Sequence, residues 1–120
     1  MTLQIDEAII SLIIISAFNE EKTLIGGTMP RISQFFGILI YMYYNDHMPP
    51  HFHAKWGEYE AIILIFLTIA APKVLKGYLP KSQLDLVLKW TATHNKELME
   101  NWELARKGMA LKQIAPLSER

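Results

Sequence analysis

The chain has 120 residues, 51% of them hydrophobic and 20% charged, with twelve basic side chains against twelve acidic ones. That size suits one domain and is short for two, and the balance is that of a globular chain that fills one core, so disorder is not the default. The absence of cysteine excludes disulfides, thiolate zinc sites and a cysteine nucleophile, and it fits a reducing compartment.

Charge is uneven along the chain. Residues 1–28 carry Asp6, Glu7, Glu20 and Glu21 against Lys22 alone, a net −3 that leaves +3 for the remainder. A surplus of that size permits contact with RNA or an acidic partner, but no dense Lys/Arg patch announces it. The segment opens with the β-branched run "IISLIIIS", turns at "NEEK", continues through "TLIGGT" and breaks at Gly26-Gly27. It reads as a hydrophobic extension or β-arm over residues 1–28, lying on the main domain or pairing with a second copy.

Two apolar stretches, 8–18 and 61–71, are about half the roughly 20 residues a membrane-spanning helix requires. The first follows Asp6 and Glu7, the wrong charge for a signal peptide. Both read as buried strands, and the expected location is the cytoplasm, with no membrane contact.

A single domain is expected over residues 29–120. "FFGILIYMYY" (35–44) reads as one long strand and "NDHMPP" (45–50) as the turn that ends it. "HFHAKW" (51–56) alternates strictly, with Phe52, Ala54 and Trp56 on one face and His51, His53 and Lys55 on the other. Gly57-Glu58 signals a tight turn, "YEAIILI" (59–65) the next strand, and "KVLKGYL" (73–79) another. From Pro80 the period becomes helical, through Leu84, Val87, Leu88 and Thr91, widened by Leu86 and Trp90. Asn95 is placed to cap a second helix stopped by Gly108, with one long helix as the alternative. Strands followed by helices predict an α+β fold, a small antiparallel sheet of about three to five strands against one long or two C-terminal helices.

Three of the four histidines, His47, His51 and His53, fall within seven positions around Pro49-Pro50. Three readings follow. In the first, His51 and His53 form an H-x-H metal clip closed by His47, with Asp46 as a further ligand or a group that orients an imidazole; zinc or another transition metal suits such donors. In the second, no metal is needed: the imidazoles share general acid and base work near neutral pH while Lys55 offsets charge on a phosphate. Arg31, Tyr43, Tyr44 and Arg106 are further candidates there. In the third, the histidines only shape the turn by hydrogen bonding backbone carbonyls. His94 reads as structural, and Glu103 with Arg106 and Lys107 as ordinary helix-surface pairing.

From Met29 onward the chain resembles the small bacterial domain of unknown function 4160. The likeness is carried by "MPRISQFFGILIYMYYNDHMPPHFHAKWGEYEA" (29–61), "VLKGYLPKSQLDLVLKW" (74–90) and "ELMENWELARKG" (97–108), with D-H-x-P-P-H-F-H as the specific core. Asp46, His47, Pro49, Pro50, His51 and His53 match that motif, and no catalytic assignment travels with them. Family members often stand beside a second small domain of unknown function (2442), as in toxin–antitoxin pairs, and small toxins of this kind are frequently ribonucleases. The resemblance thus implies a toxin component with an antitoxin-like partner. Two departures are the extension before Met29 and the apolar segment 63–73, which replaces a shorter polar one; both add apolar surface and favour a homo-oligomer.

Together these lines lead to a ribonuclease-type toxin centred on His47, His51, His53 and Lys55, working without a cofactor and with RNA as substrate. The alternatives are a dimerising or partner-binding module with structural histidines, and a metal-binding protein.

Overall fold

The computed structural model describes residues 30–65 and 73–120; the expected arm over residues 1–28 and the middle of the 63–73 segment lie outside them. Among the described residues, five strands precede two helices. They are β1 (Arg31–Phe35), β2 (Ile38–Tyr41), β3 (His51–Trp56), β4 (Tyr59–Leu64), β5 (Lys73–Tyr78), α1 (Lys81–Thr93) and α2 (Asn95–Arg106). The strands form one antiparallel sheet in sequential order, β1-β2-β3-β4-β5. The architecture is α+β, with two helices rather than one.

The expected single strand over 35–44 is instead the second half of a hairpin. Phe36 and Gly37 both take positive φ, 49° and 79°, as the two-residue type I′ turn requires. Glycine accepts that conformation freely and Phe36 accepts it at a steric cost. Aromatic strand-formers on both sides of Gly37 hide the turn, and β1 is an element the sequence reading lacks.

β3 occupies the six residues expected of it. The Gly57-Glu58 turn returns the chain so that Trp56 pairs with Tyr59, Lys55 with Glu60, His53 with Ile62 and His51 with Leu64. Directly paired residues share a face, so His51, His53, Lys55 and Glu60 lie on one side of the sheet. Phe52, Ala54, Ala61 and Ile63 lie on the other, in a core completed by Val87, Trp90, Leu98 and Trp102 of the helices. The Trp90 ring stands 5.2 Å from Phe35 and 5.8 Å from Phe52, and its indole N–H donates to the Ala115 carbonyl at 2.8 Å.

The helices separate at His94. His94, not Asn95, holds the N-cap position of α2, and neither helix has a side-chain cap bond. At the far end Gly108 N–H donates to the Ala105 carbonyl and Met109 N–H to the Leu104 carbonyl, the paired bonds of a Schellman stop. The chain then runs back to β1, as Asn101 clamps the Lys112 backbone through both its amide atoms. Ile114 N–H donates to the Ile32 carbonyl at 2.8 Å, which covers the outer edge of the sheet. Among the described residues, no helix is long and apolar enough to cross a membrane.

Candidate functional site

The site is built where the β2–β3 connection meets the start of β3. Asn45 turns the chain with φ 53°, a conformation that asparagine tolerates better than most residues. Its N–H points at the Ala105 carbonyl of α2, at 3.5 Å. Asp46 follows with its carboxylate turned inward, the side chain only 1% exposed, and Asp46 Oδ1 accepts the His47 backbone N–H at 2.9 Å.

His51 and His53 approach that carboxylate from β3. His51 Nδ1 lies 2.7 Å from the Pro49 carbonyl oxygen, which can only accept, so Nδ1 carries a proton. Its Nε2 is 2.9 Å from Asp46 Oδ2. His53 repeats the pattern with a different partner: Nδ1–H donates to Glu60 Oε2 at 2.8 Å, and Nε2 stands 3.6 Å from the same Asp46 Oδ2. A neutral imidazole has one N–H, and in both rings it is directed away from Asp46. In their neutral forms both rings would thus turn a lone pair towards one carboxylate oxygen, and a cation between them, a proton or a metal ion, makes that contact favourable.

The surroundings hold the rings in place. The Trp102 ring packs 5.3 Å from His51, the two imidazoles are 5.5 Å apart, and Tyr43 meets His53 edge-on at 4.4 Å. Burial, then the negative charges of Glu60 and Asp46, push the Tyr43 phenol up to about 12, so it stays protonated at neutral pH.

Residues 37–103 match the model of a domain of unknown function, DUF4160. The chain belongs to this family. No curated protein and no solved structure matches it. Within the DUF4160 segment lie Asp46, His51, His53 and Glu60, so the family match covers the whole cluster while naming no activity for it.

The DUF4160 chain brings together only part of the predicted set. Among the described residues, ligand atoms of Asp46, His51 and His53 lie within 4.8 Å of one another. His47 is not in that group, and its backbone N–H donates to Asp46. Lys55 shares the histidine face, yet its Nζ sits 5.2 Å over the Tyr41 ring. Arg106 pairs with Glu103 at 3.7 Å on the surface of α2, and His94 with Glu97 at 2.6 Å. The carbonyl bond of His51 is the turn-shaping contact anticipated from sequence, here combined with a second role for the same ring.

Glu60 is the residue that sequence reasoning missed. The signal was available: a two-residue turn at Gly57-Glu58 pairs Lys55 with Glu60, one step along the same face from His53.

Proposed function

We propose that this DUF4160 chain is a metal-binding protein in which Asp46, His51 and His53 ligate one divalent ion. The observation that carries this reading is the convergence of both Nε2 atoms on Asp46 Oδ2 while each Nδ1–H is held by an outward acceptor. That is how ligating histidines are oriented, with the far ring nitrogen bonded to a carbonyl or carboxylate. Two ligands at about 2.0–2.1 Å from one tetrahedral ion lie about 3.3 Å apart. The separations of 2.9 and 3.6 Å bracket that value. The side chains of His51, His53 and Asp46 are at most 6% exposed, so the ion's first effect is to pin the β2–β3 connection to the sheet.

A metal-free acid–base pair is less well supported. It needs two imidazoles and a cation within reach of one phosphate, whereas both rings are buried and Lys55 covers Tyr41. The toxin role, RNA as substrate and an antitoxin-like partner rest on the family resemblance. They are compatible with a metal site, since an ion with three protein ligands keeps a position at which water can be activated for hydrolysis.

Metal analysis of tag-free protein by mass spectrometry tests the proposal. About one equivalent of a transition metal is expected in the wild type and in Lys55→Ala, and none in a His51→Ala/His53→Ala variant. Trace metal in all three, with no uptake of added Zn2+, would overturn it. RNA-cleavage and growth-inhibition assays with the same proteins separate the roles: cleavage lost in the double variant supports the toxin reading, and no cleavage removes it while leaving the metal site intact.

A further inference from the structure

Beside the three ligands stands one half-buried partner. Glu60 contributes no atom to the converging group, yet its carboxylate holds His53 Nδ1 at 2.8 Å. We infer that Glu60 is the positioning and charge-balancing residue of the site, and that the site it completes takes a borderline transition ion of the Zn2+ and Co2+ class. The inference rests on the metal reading above.

The charge argument comes first. A dication bound by one carboxylate and two neutral imidazoles carries a net +1. Burying a net charge is costly unless a counter-charge lies close by. Glu60 supplies one negative charge at the edge of the cluster, its side chain 33% exposed against 6% for His53, which opposes that excess. Oriented through His53, the same carboxylate fixes the tautomer that leaves Nε2 free to ligate.

The backbone is built to keep Glu60 in place. β5 crosses it at Gly77, where φ is +86° and an added Cβ would collide with the Glu60 carbonyl oxygen and crowd the Ala61 Cα at 3.0 Å. Only glycine permits that approach, and beyond it the β4–β5 register shifts between Ile62 and Ile63. The two histidines thus differ in kind. The acceptor of His51 is a main-chain carbonyl that no substitution removes, whereas that of His53 is a side chain open to replacement.

The donor set selects the ion. Two imidazole nitrogens and one carboxylate suit zinc, cobalt, nickel or copper, whereas Mg2+ and Ca2+ prefer all-oxygen shells. No described residue adds a further carboxylate to the group.

Titration of the full chain with Co2+, followed by visible absorption, tests the inference in the wild type, Glu60→Gln and Glu60→Ala. The amide of Glu60→Gln keeps an acceptor oxygen for Nδ1–H and drops the charge; about tenfold weaker binding is expected. Glu60→Ala loses both, and a loss approaching 100-fold is expected. Excess Mg2+ should leave the cobalt spectrum unchanged, and displacement by Mg2+ would overturn the ion class. If Glu60 only supports the fold, unfolding midpoints fall while all three proteins bind Co2+ within about twofold, and the inference fails alone. A wild type that binds no Co2+ defeats the metal reading itself. Should Glu60→Ala not fold, the nearly isosteric Glu60→Gln still separates the outcomes.

Discussion

On one face of β3, Phe52 and Ala54 are fully buried beneath the helices. On the other, His51 and His53 are buried almost as deeply, at 1% and 5% exposure, among Asp46, Glu60 and Tyr43, while Trp102 of the core reaches the His51 ring. Burial alone does not tell these surfaces apart; what differs is the directionality of the forces. The apolar face is held by the hydrophobic effect and dispersion, which depend on area and fit and which many side chains can supply. The polar face shares its side of the sheet with the buried Ile62 and Leu64, but its polar groups depend on direction, because a buried group left unpaired costs the full penalty of its lost hydration. A protein tolerates such a face where it does something that packing cannot.

The largest effect should come from the apolar side. Phe52→Ala removes a ring packed on Trp90 and is expected to cost about 3–5 kcal/mol in urea unfolding, with unchanged metal content per folded molecule. A cost below about 1 kcal/mol would show that this face is not the main source of cohesion.

Metal removal should reach the other face alone. With ion at 100 times its dissociation constant, chelation is expected to lower stability by about 2.7 kcal/mol, read as a drop in Tm that added Zn2+ restores. The same treatment of the His51→Ala/His53→Ala variant should change nothing, and a drop there would place the bound ion elsewhere.

Asp46→Asn sharpens the contrast further. The carboxamide nitrogen can donate to an imidazole lone pair that the carboxylate oxygen faces without a proton of its own. The metal-free variant is therefore expected to match or exceed the metal-free wild type, within about 1 kcal/mol, while binding no metal. A strong loss of stability without metal would indicate that a proton, not an ion, bridges His51 and Asp46.

The smallest effect concerns pH. The folded pKa of Tyr43 lies above the ordinary value of 10.0, at about 12, through burial and the charges of Glu60 and Asp46. The protonated phenol's contribution is complete below pH 10 and is lost as pH rises towards 12. Tyr43→Phe should flatten the alkaline decline in unfolding midpoint over that window; an unchanged slope would remove Tyr43 as its source.

Several features were legible in the residues themselves. Strict alternation over 51–56 set β3 and put both histidines on one face, since a period of two leaves no other choice. The change of period at Pro80 marked sheet from helix, and with it the α+β order. Other features were not. The hairpin at Phe36-Gly37 escaped because strand propensity on both sides outweighed one glycine signal. On paper His47 was the third ligand and Asp46 a further ligand or an orienting group, and only the path of the turn sends the Asp46 carboxylate to both imidazoles.

What the sequence determined by itself is local: β3 and β4, the change from strands to helices, and which side chains of β3 share a face, because backbone period and turn chemistry act over a few residues. The tertiary structure decided that α2 brings Trp102 against His51, that β5 passes close enough to Glu60 to demand Gly77, and that Asp46 becomes the point on which both imidazoles converge. The first two join residues far apart in the chain and the third depends on the path of one turn, and their energies exist only once the sheet and helices have excluded water from between them.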